Sequence, residues 1–193
     1  MASVTIEELD QPHILALYAV NKATKGVPTK THFQKIIYLI FKALGRKPED
    51  AQFRAYHYGP YSDMVDDWRE DLIFWGYLKK SSGSEVIRIS PDMKEAVDAI
   101  TPPNELAGFK IKEIVEFVCS LSWEELLLLI YTDDVRKNEN MSSKSVAKDD
   151  IFKKRVEISL GMVKSEKISV ARGAELADME IREYMDLVSQ KCT

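Results

Sequence analysis

The five residues His57-Tyr58-Gly59-Pro60-Tyr61 constrain this chain more than any other stretch. Glycine takes positive φ without steric cost and proline suits the first turn of a helix, so the pair marks an abrupt change from extended chain to helix. Beyond it Tyr61, Met64, Val65, Trp68, Leu72 and Trp75 recur at helical spacing as one heavy apolar stripe. Gly76 stops it. Tyr77 to Lys80 and Glu85 to Ile89 then flank the polar loop Ser81-Ser82-Gly83-Ser84, which is of hairpin length. A strand, a turn, a helix and a hairpin over Gln52 to Ser90 is the way a winged helix ends.

Two helices precede this stretch. Gln11 to Lys25 carries Ile14, Leu15, Leu17, Tyr18 and Ala19, with Pro12 tolerated at the start. Thr29 or Thr31 can cap a second helix striped by Phe33, Ile36, Ile37, Ile40 and Leu44, which Gly45 ends. After the hairpin, Ser90-Pro91 opens a short helix to Ile100. Thr101-Pro102-Pro103-Asn104 then bars helix continuation and predicts a linker, dividing the chain into a domain at 1–101 and another at 102–193.

The second domain reads as helical throughout. Ser122 with Glu125 is a capping box opening a helix through Leu126 to Tyr131, and Asp133 to Ser145 reads as a loop or frayed helix end. Val146 to Val163 restores periodicity. Ile168 to Val188 follows as two short helices about Ala177-Asp178-Met179. The expected fold class is therefore mainly α: a winged-helix-like N-terminal domain with a small β-hairpin, then a helical region ending in a helix-turn-helix. The run from Val118 to Ile130 leaves little polar surface, so either the fold or a second copy must bury it, and a homodimer is expected.

The 193 residues are 45% hydrophobic and 30% charged, an ordinary globular balance that excludes disordered and fibrous classes. Net charge is -4, but it is uneven: the chain sums to -6 up to Val135 and to +2 beyond it. Cys119 and Cys192 give neither a disulfide framework nor a zinc site, and Met1 to Asp10 has no signal-peptide pattern, so a cytoplasmic location is expected. No apolar run approaches the roughly 20 residues a membrane span needs, so no membrane partner is expected.

Two stretches resemble known families. Phe33-Gln34-Lys35-Ile36-Ile37-Tyr38-Leu39, Phe53-Arg54-Ala55-Tyr56-His57-Tyr58-Gly59-Pro60-Tyr61-Ser62 and Leu72-Ile73-Phe74-Trp75-Gly76-Tyr77-Leu78 together resemble the Panacea (SocA-like) antitoxin domain and the related YwgA-type proteins. That resemblance covers about half of the chain and implies a winged-helix relative that neutralises a toxin by protein contact. Lys167 to Met179 is similar to the helix-turn-helix of the UPF0175 family of antitoxins, except that the turn glycine of that family is Asp178 here. This second likeness spans about 25 residues and implies operator binding.

Charge assigns different partners to the two regions. Asp63, Asp66, Asp67, Glu70 and Asp71 stand against Arg69 alone on the helix after Pro60, and an acidic helix is repelled by phosphates. DNA binding is rejected there. With Tyr58, the residues Asp63, Asp66, Asp67 and Glu70 are instead the candidate contacts for a protein partner, against the plainer reading of a solvated face. Lys164, Lys167, Arg172 and Arg182 are the candidate contacts for duplex DNA, with a purely structural helical hairpin as the competing reading. His13, His32 and His57 lie on separate elements and are expected as single satisfied side chains, not metal ligands. Tyr56, Tyr58, Tyr61, Trp68 and Trp75 are expected in the core.

No nucleophile elbow, phosphate loop or carboxylate dyad is present, so neither an enzyme nor a cofactor is expected. The expected function is a non-catalytic, antitoxin-like regulator that holds a protein partner and binds operator DNA. The alternative is a protein-interaction adaptor without nucleic-acid affinity.

Overall fold

The computed structural model describes residues 4–81, 83–101 and 105–191. The chain is mainly helical with two small strand pairs, as the patterning predicts. It divides into two compact units, Met1–Arg54 with Pro60–Cys119, and Ala55–Gly59 with Ser120–Thr193. The division falls after Cys119, not at the proline linker, and the short Ala55–Gly59 segment belongs with the later part of the chain. Pro102, Pro103 and Asn104 of the linker, Ser82 of the hairpin loop and Cys192 lie outside the described residues. No helix among the described residues is long and apolar enough to cross a membrane.

In the first unit, α1 (Gln11–Lys22) begins where the Asp10 carboxylate accepts from the His13 backbone N–H, with Pro12 in its first turn. Thr29, not Thr31, caps α2 (Lys30–Ala43), whose Phe33, Ile36, Ile37 and Ile40 are fully buried. Strands β1 (Arg54–Tyr56) and β2 (Gly59–Tyr61), of which Ala55, Tyr56 and Gly59 are counted with the second unit, pair across the central turn. Helix α3 (Asp63–Phe74) starts three residues beyond Pro60, so the proline stands in β2 and not in the first helical turn. Ser62 explains the difference. Its side chain accepts from Val65 N–H, and a cap residue must itself be extended, which pushes the helix start to Asp63.

Val65, Trp68 and Leu72 carry the buried stripe of α3, and Gly76 at φ 83° reverses the chain into β3 (Leu78–Lys80). That strand pairs antiparallel with β4 (Ile87–Ile89) in the register Leu78↔Ile89 and Lys80↔Ile87. Val27 exchanges two backbone hydrogen bonds with Ile87, adding a third short rung to the hairpin. Helix α4 (Lys94–Asp98) and helix α5 (Glu105–Ser120) follow.

One anchor in this unit uses polar side chains inside the apolar interior. Gln34 on α2 donates from Nε2 to Ser62 O at 2.9 Å and accepts from Ser62 N at 3.1 Å, copying a strand-like pair. Lys35 next to it is 2% exposed, and its Nζ donates to Pro60 O at 2.7 Å. Two consecutive polar residues of α2 thus hold the backbone of Pro60 and Ser62. Burial pushes the Lys35 amine down to about 7. Cys119 is shifted the other way, its thiol pushed up to about 11 by burial, which keeps it protonated and unreactive.

The second unit is built on α6 (Trp123–Lys137), opened by the expected capping box of Ser122 and Glu125. Leu126 to Tyr131 are all buried within the single chain, so this helix gives no reason to invoke a second copy. It also runs four residues past Asp133, ending at Asn138 in the left-handed region. Helices α7 (Lys148–Lys153), α8 (Arg155–Lys164), α9 (Val170–Ala177) and α10 (Ile181–Lys191) complete it. Asp178 adopts φ 57°, a left-handed conformation that Asp tolerates. Leu160, Ala174, Ala177 and Tyr184 form the small core under the α9–α10 hairpin. Gly173 is the point of closest approach there: a Cβ would stand 2.6 Å from Val163 and 2.7 Å from Tyr184.

The Lys35 shift has a testable consequence. Between about 7 and the ordinary lysine value of 10.5 the unfolded chain binds the proton and the folded chain does not, so stability rises with pH across that window. Urea denaturation at pH 7.5 and 9.5 should show wild type gaining about 2–3 kcal/mol relative to Lys35→Met, at roughly 1.4 kcal/mol per pH unit. Parallel curves for the two proteins would mean Lys35 is not buried uncharged.

Candidate functional site

The second unit presents a set of aromatic rings to solvent. Tyr56, His57 and Tyr58 are consecutive and exposed, with Tyr56 at 39% and Tyr58 at 42%. The Tyr56 and His57 rings stack at 4.4 Å and 5°. Tyr58 meets Trp123 edge to face at 5.3 Å and 77°, and Trp123 is itself 37% exposed. The expectation that Tyr56 and Tyr58 belong to the core therefore fails. Trp68, inside α3, is buried, while Tyr61 in β2 and Trp75 at the C-cap of α3 are half-buried; Tyr56 ends β1 and Tyr58 lies in the turn, where helical spacing has no meaning.

The frame behind the rings is specific. Gly59 takes φ 85°, and a Cβ there would stand 3.3 Å from the Tyr131 ring and 3.4 Å from Ile130, so its backbone lies flat on α6. The carbonyl of His57 accepts from Val146 N–H at 3.1 Å and from Ser145 Oγ at 3.1 Å. Ser145 Oγ is also 2.6 Å from the Tyr131 hydroxyl, which lies mostly buried; burial raises the pKa of Tyr131, and the bond from Ser145 only partly offsets it. The loop that supplies Ser145 and Val146 is organised by Asp134. Its buried carboxylate accepts from Met141 N–H at 2.7 Å and Ser142 N–H at 2.9 Å. Such charge-assisted bonds are among the stronger ones a loop can have. Val146, expected to join a helical stripe, is 69% exposed at the end of this loop.

The acidic partner candidates on α3 are largely spent on internal pairs. Asp63 pairs with Arg54, and Asp66 receives Lys30 at 2.6 Å and Arg69 at 2.9 Å. Glu70 also pairs with Arg69, whose guanidinium is buried. Burial alone would raise the pKa of Asp66, but the bonds from Lys30 and Arg69 outweigh it and hold the carboxyl below its ordinary value. Asp67 is exposed and makes no ion pair among the described residues.

The cationic candidates divide in the same way. Lys167 binds Glu125 at 2.7 Å, and Glu125 is at the same time the capping acid of α6. Arg172 pairs with Asp133 and, at 2.7 Å, with Glu175. Burial works against the Arg172 charge, and the two carboxylates more than offset it, so the guanidinium is held firmly ionised and occupied. Lys164 and Arg182 are exposed without an ion pair among the described residues.

His13 and His32 are buried and satisfied at helix starts, with Asp10 at 2.5 Å and Thr29 at 2.9 Å. No group of three or more His, Cys, Asp or Glu that could hold a metal occurs among the described residues. Trp123 is the site residue that sequence reasoning missed; its place at the first position of α6, just past the Ser122 cap, was the available signal. Compared with known proteins, the chain matches no family model, no curated protein and no solved structure.

If Asp134 organises the frame, Asp134→Ala should lower stability by roughly 2–4 kcal/mol, since two bonds to a charged acceptor are lost and one of the two amides is buried. The amides of Met141 and Ser142 should lose hydrogen-exchange protection at the same time. A variant with wild-type stability and unchanged exchange would show that the loop is held by something else.

Proposed function

We propose that this chain is a non-catalytic regulator that acts by binding a protein partner, in the manner of the antitoxins its N-terminal half resembles, through the ring cluster Tyr56, His57, Tyr58 and Trp123. The observation that carries the reading is the Tyr58–Trp123 pair: two large rings in edge-to-face contact, both more than a third exposed, over a hydrogen-bonded frame. Rings of this kind are the anchors that dominate protein interfaces, because they bury much apolar area for little lost rotamer freedom. A rigid frame lowers the ordering cost further.

The ion pairs favour the adaptor form of this reading over operator binding. Phosphate affinity comes from cations that can neutralise backbone charge, and Lys167 and Arg172 already have carboxylate partners at 2.7 Å. Lys164 and Arg182 remain, which is few contacts for a duplex. The acidic face of α3 is likewise mostly compensated, so the aromatic cluster replaces it as the contact surface, with Tyr58 the one residue common to both.

A photo-crosslinking amino acid placed at position 58 should, in cells of the native host, yield one discrete protein adduct, while the same group at the exposed Lys110 yields none. Trp123→Ala should reduce the yield at position 58 by about tenfold, the effect of losing an anchor worth 1.4 kcal/mol or more. An adduct pattern identical at 58 and 110 would contradict the proposal. So would retention on heparin at low salt that Arg182→Glu abolishes, because that would return DNA to first place.

A further inference from the structure

A second surface of the same unit is built for a different part of a partner. Between α6, the Phe152–Arg155 stretch and the α9–α10 turn lies an open groove of about 530 Å³. Its apolar lining includes Val135, Phe152 and Met179, and Val135 is 53% exposed without being required by the small core of the hairpin. The rim is charged and unbalanced. Arg136 pairs with Glu175 at 2.5 Å and Arg155 with Asp178 at 2.8 Å, so both arginines are matched. Glu180 and Glu183 line the groove and make no ion pair among the described residues.

We propose that this groove receives a cationic amphipathic helix of the protein partner, its apolar side chains on Val135 and Met179 and its Lys or Arg side chains at Glu180 and Glu183. The inference rests on the protein-partner reading above and adds the chemistry of one binding segment. Three features select this occupant. The unmatched charge is negative, which repels phosphates and acidic peptides and attracts ammonium and guanidinium groups. Glu180 immediately precedes α10 and Glu183 lies in its first turn, and both line the same groove, so two cations on one docked segment can meet them together. The exposed Val135 and the half-buried Phe152 and Met179 offer apolar contacts inside the same open groove, as the apolar face of a docked helix requires.

The probe is a fluorescein-labelled 16-residue peptide with Leu and Lys placed at helical spacing, read by fluorescence anisotropy against the purified full chain. Saturable one-to-one binding is expected, weakened at least fivefold by Glu180→Gln with Glu183→Gln. Val135→Asp should weaken it too, although it adds negative charge, because it removes an apolar contact. The proposal is overturned by absence of binding, by equal affinity for the Leu/Glu counterpart peptide, or by tighter binding of Val135→Asp, which would reduce the effect to bare charge. A dimer of the pure protein that the Glu180→Gln, Glu183→Gln pair dissociates would also overturn it, by assigning the groove to a second copy. Failure here is separable from failure of the aromatic site: the peptide assay uses the pure protein and the groove, whereas crosslinking at position 58 reads the ring cluster in cells.

Discussion

The surface chemistry of this protein depends on one close approach, the backbone of Gly59 lying against Tyr131 and Ile130 of α6. Any side chain there would meet the Tyr131 ring at 3.3 Å, and φ 85° would strain any residue except glycine. Because that backbone lies flat, the residues just before it cannot turn inward. Tyr56, His57 and Tyr58 face water, and the carbonyl of His57 is fixed by Ser145 and Val146. A residue with no side chain thus decides where three aromatic side chains go.

The second theme is that the protein consumes most of its own conspicuous charge. Each cluster that a sequence reading would offer to an external partner finds an internal one: Asp63 with Arg54, Asp66 with Lys30 and Arg69, Lys167 with Glu125, Arg172 with Asp133. Such pairs add little stability where they are exposed, but they remove the field that would steer a charged ligand. What is left over is therefore more informative than what is abundant. Among the described residues the remainder includes Asp67, Lys164, Arg182, Glu180 and Glu183, of which the two glutamates line the groove that also exposes Val135.

Local rules made much of the fold legible. The Thr29 cap, the Ser122–Glu125 capping box, the turn at Gly76, the β3–β4 hairpin and the α9–α10 turn at Asp178 each follow from a few neighbouring residues and appear where expected. The errors share a different cause. The preference of Pro60 for a first helical turn is visible locally, while the competing Ser62 cap gains from Ala51 O and Gln34, which are distant in sequence. The polar stretch from Asp133 suits a loop or a frayed helix end, yet through Lys137 it continues α6 as regular helix, its acids serving Arg172 and the 138–146 loop. Lys35 gave no sign of burial, since its acceptor, Pro60 O, is 25 residues away. The candidate site was half visible: Tyr58 was identified, but its exposure and its pairing with Trp123 are products of tertiary structure.

Hydrogen exchange of individual amides in wild type and Gly59→Ala tests the frame behind the rings most directly. In wild type the Val146 amide, bonded to His57 O, should be protected together with Met141 and Ser142, as members of one locally cooperative element. Gly59→Ala should lift the strand from α6 and speed Val146 exchange by at least about tenfold. Exchange at Val146 that is unprotected in wild type, or unchanged by the substitution, would contradict a rigid presentation of Tyr56, His57 and Tyr58.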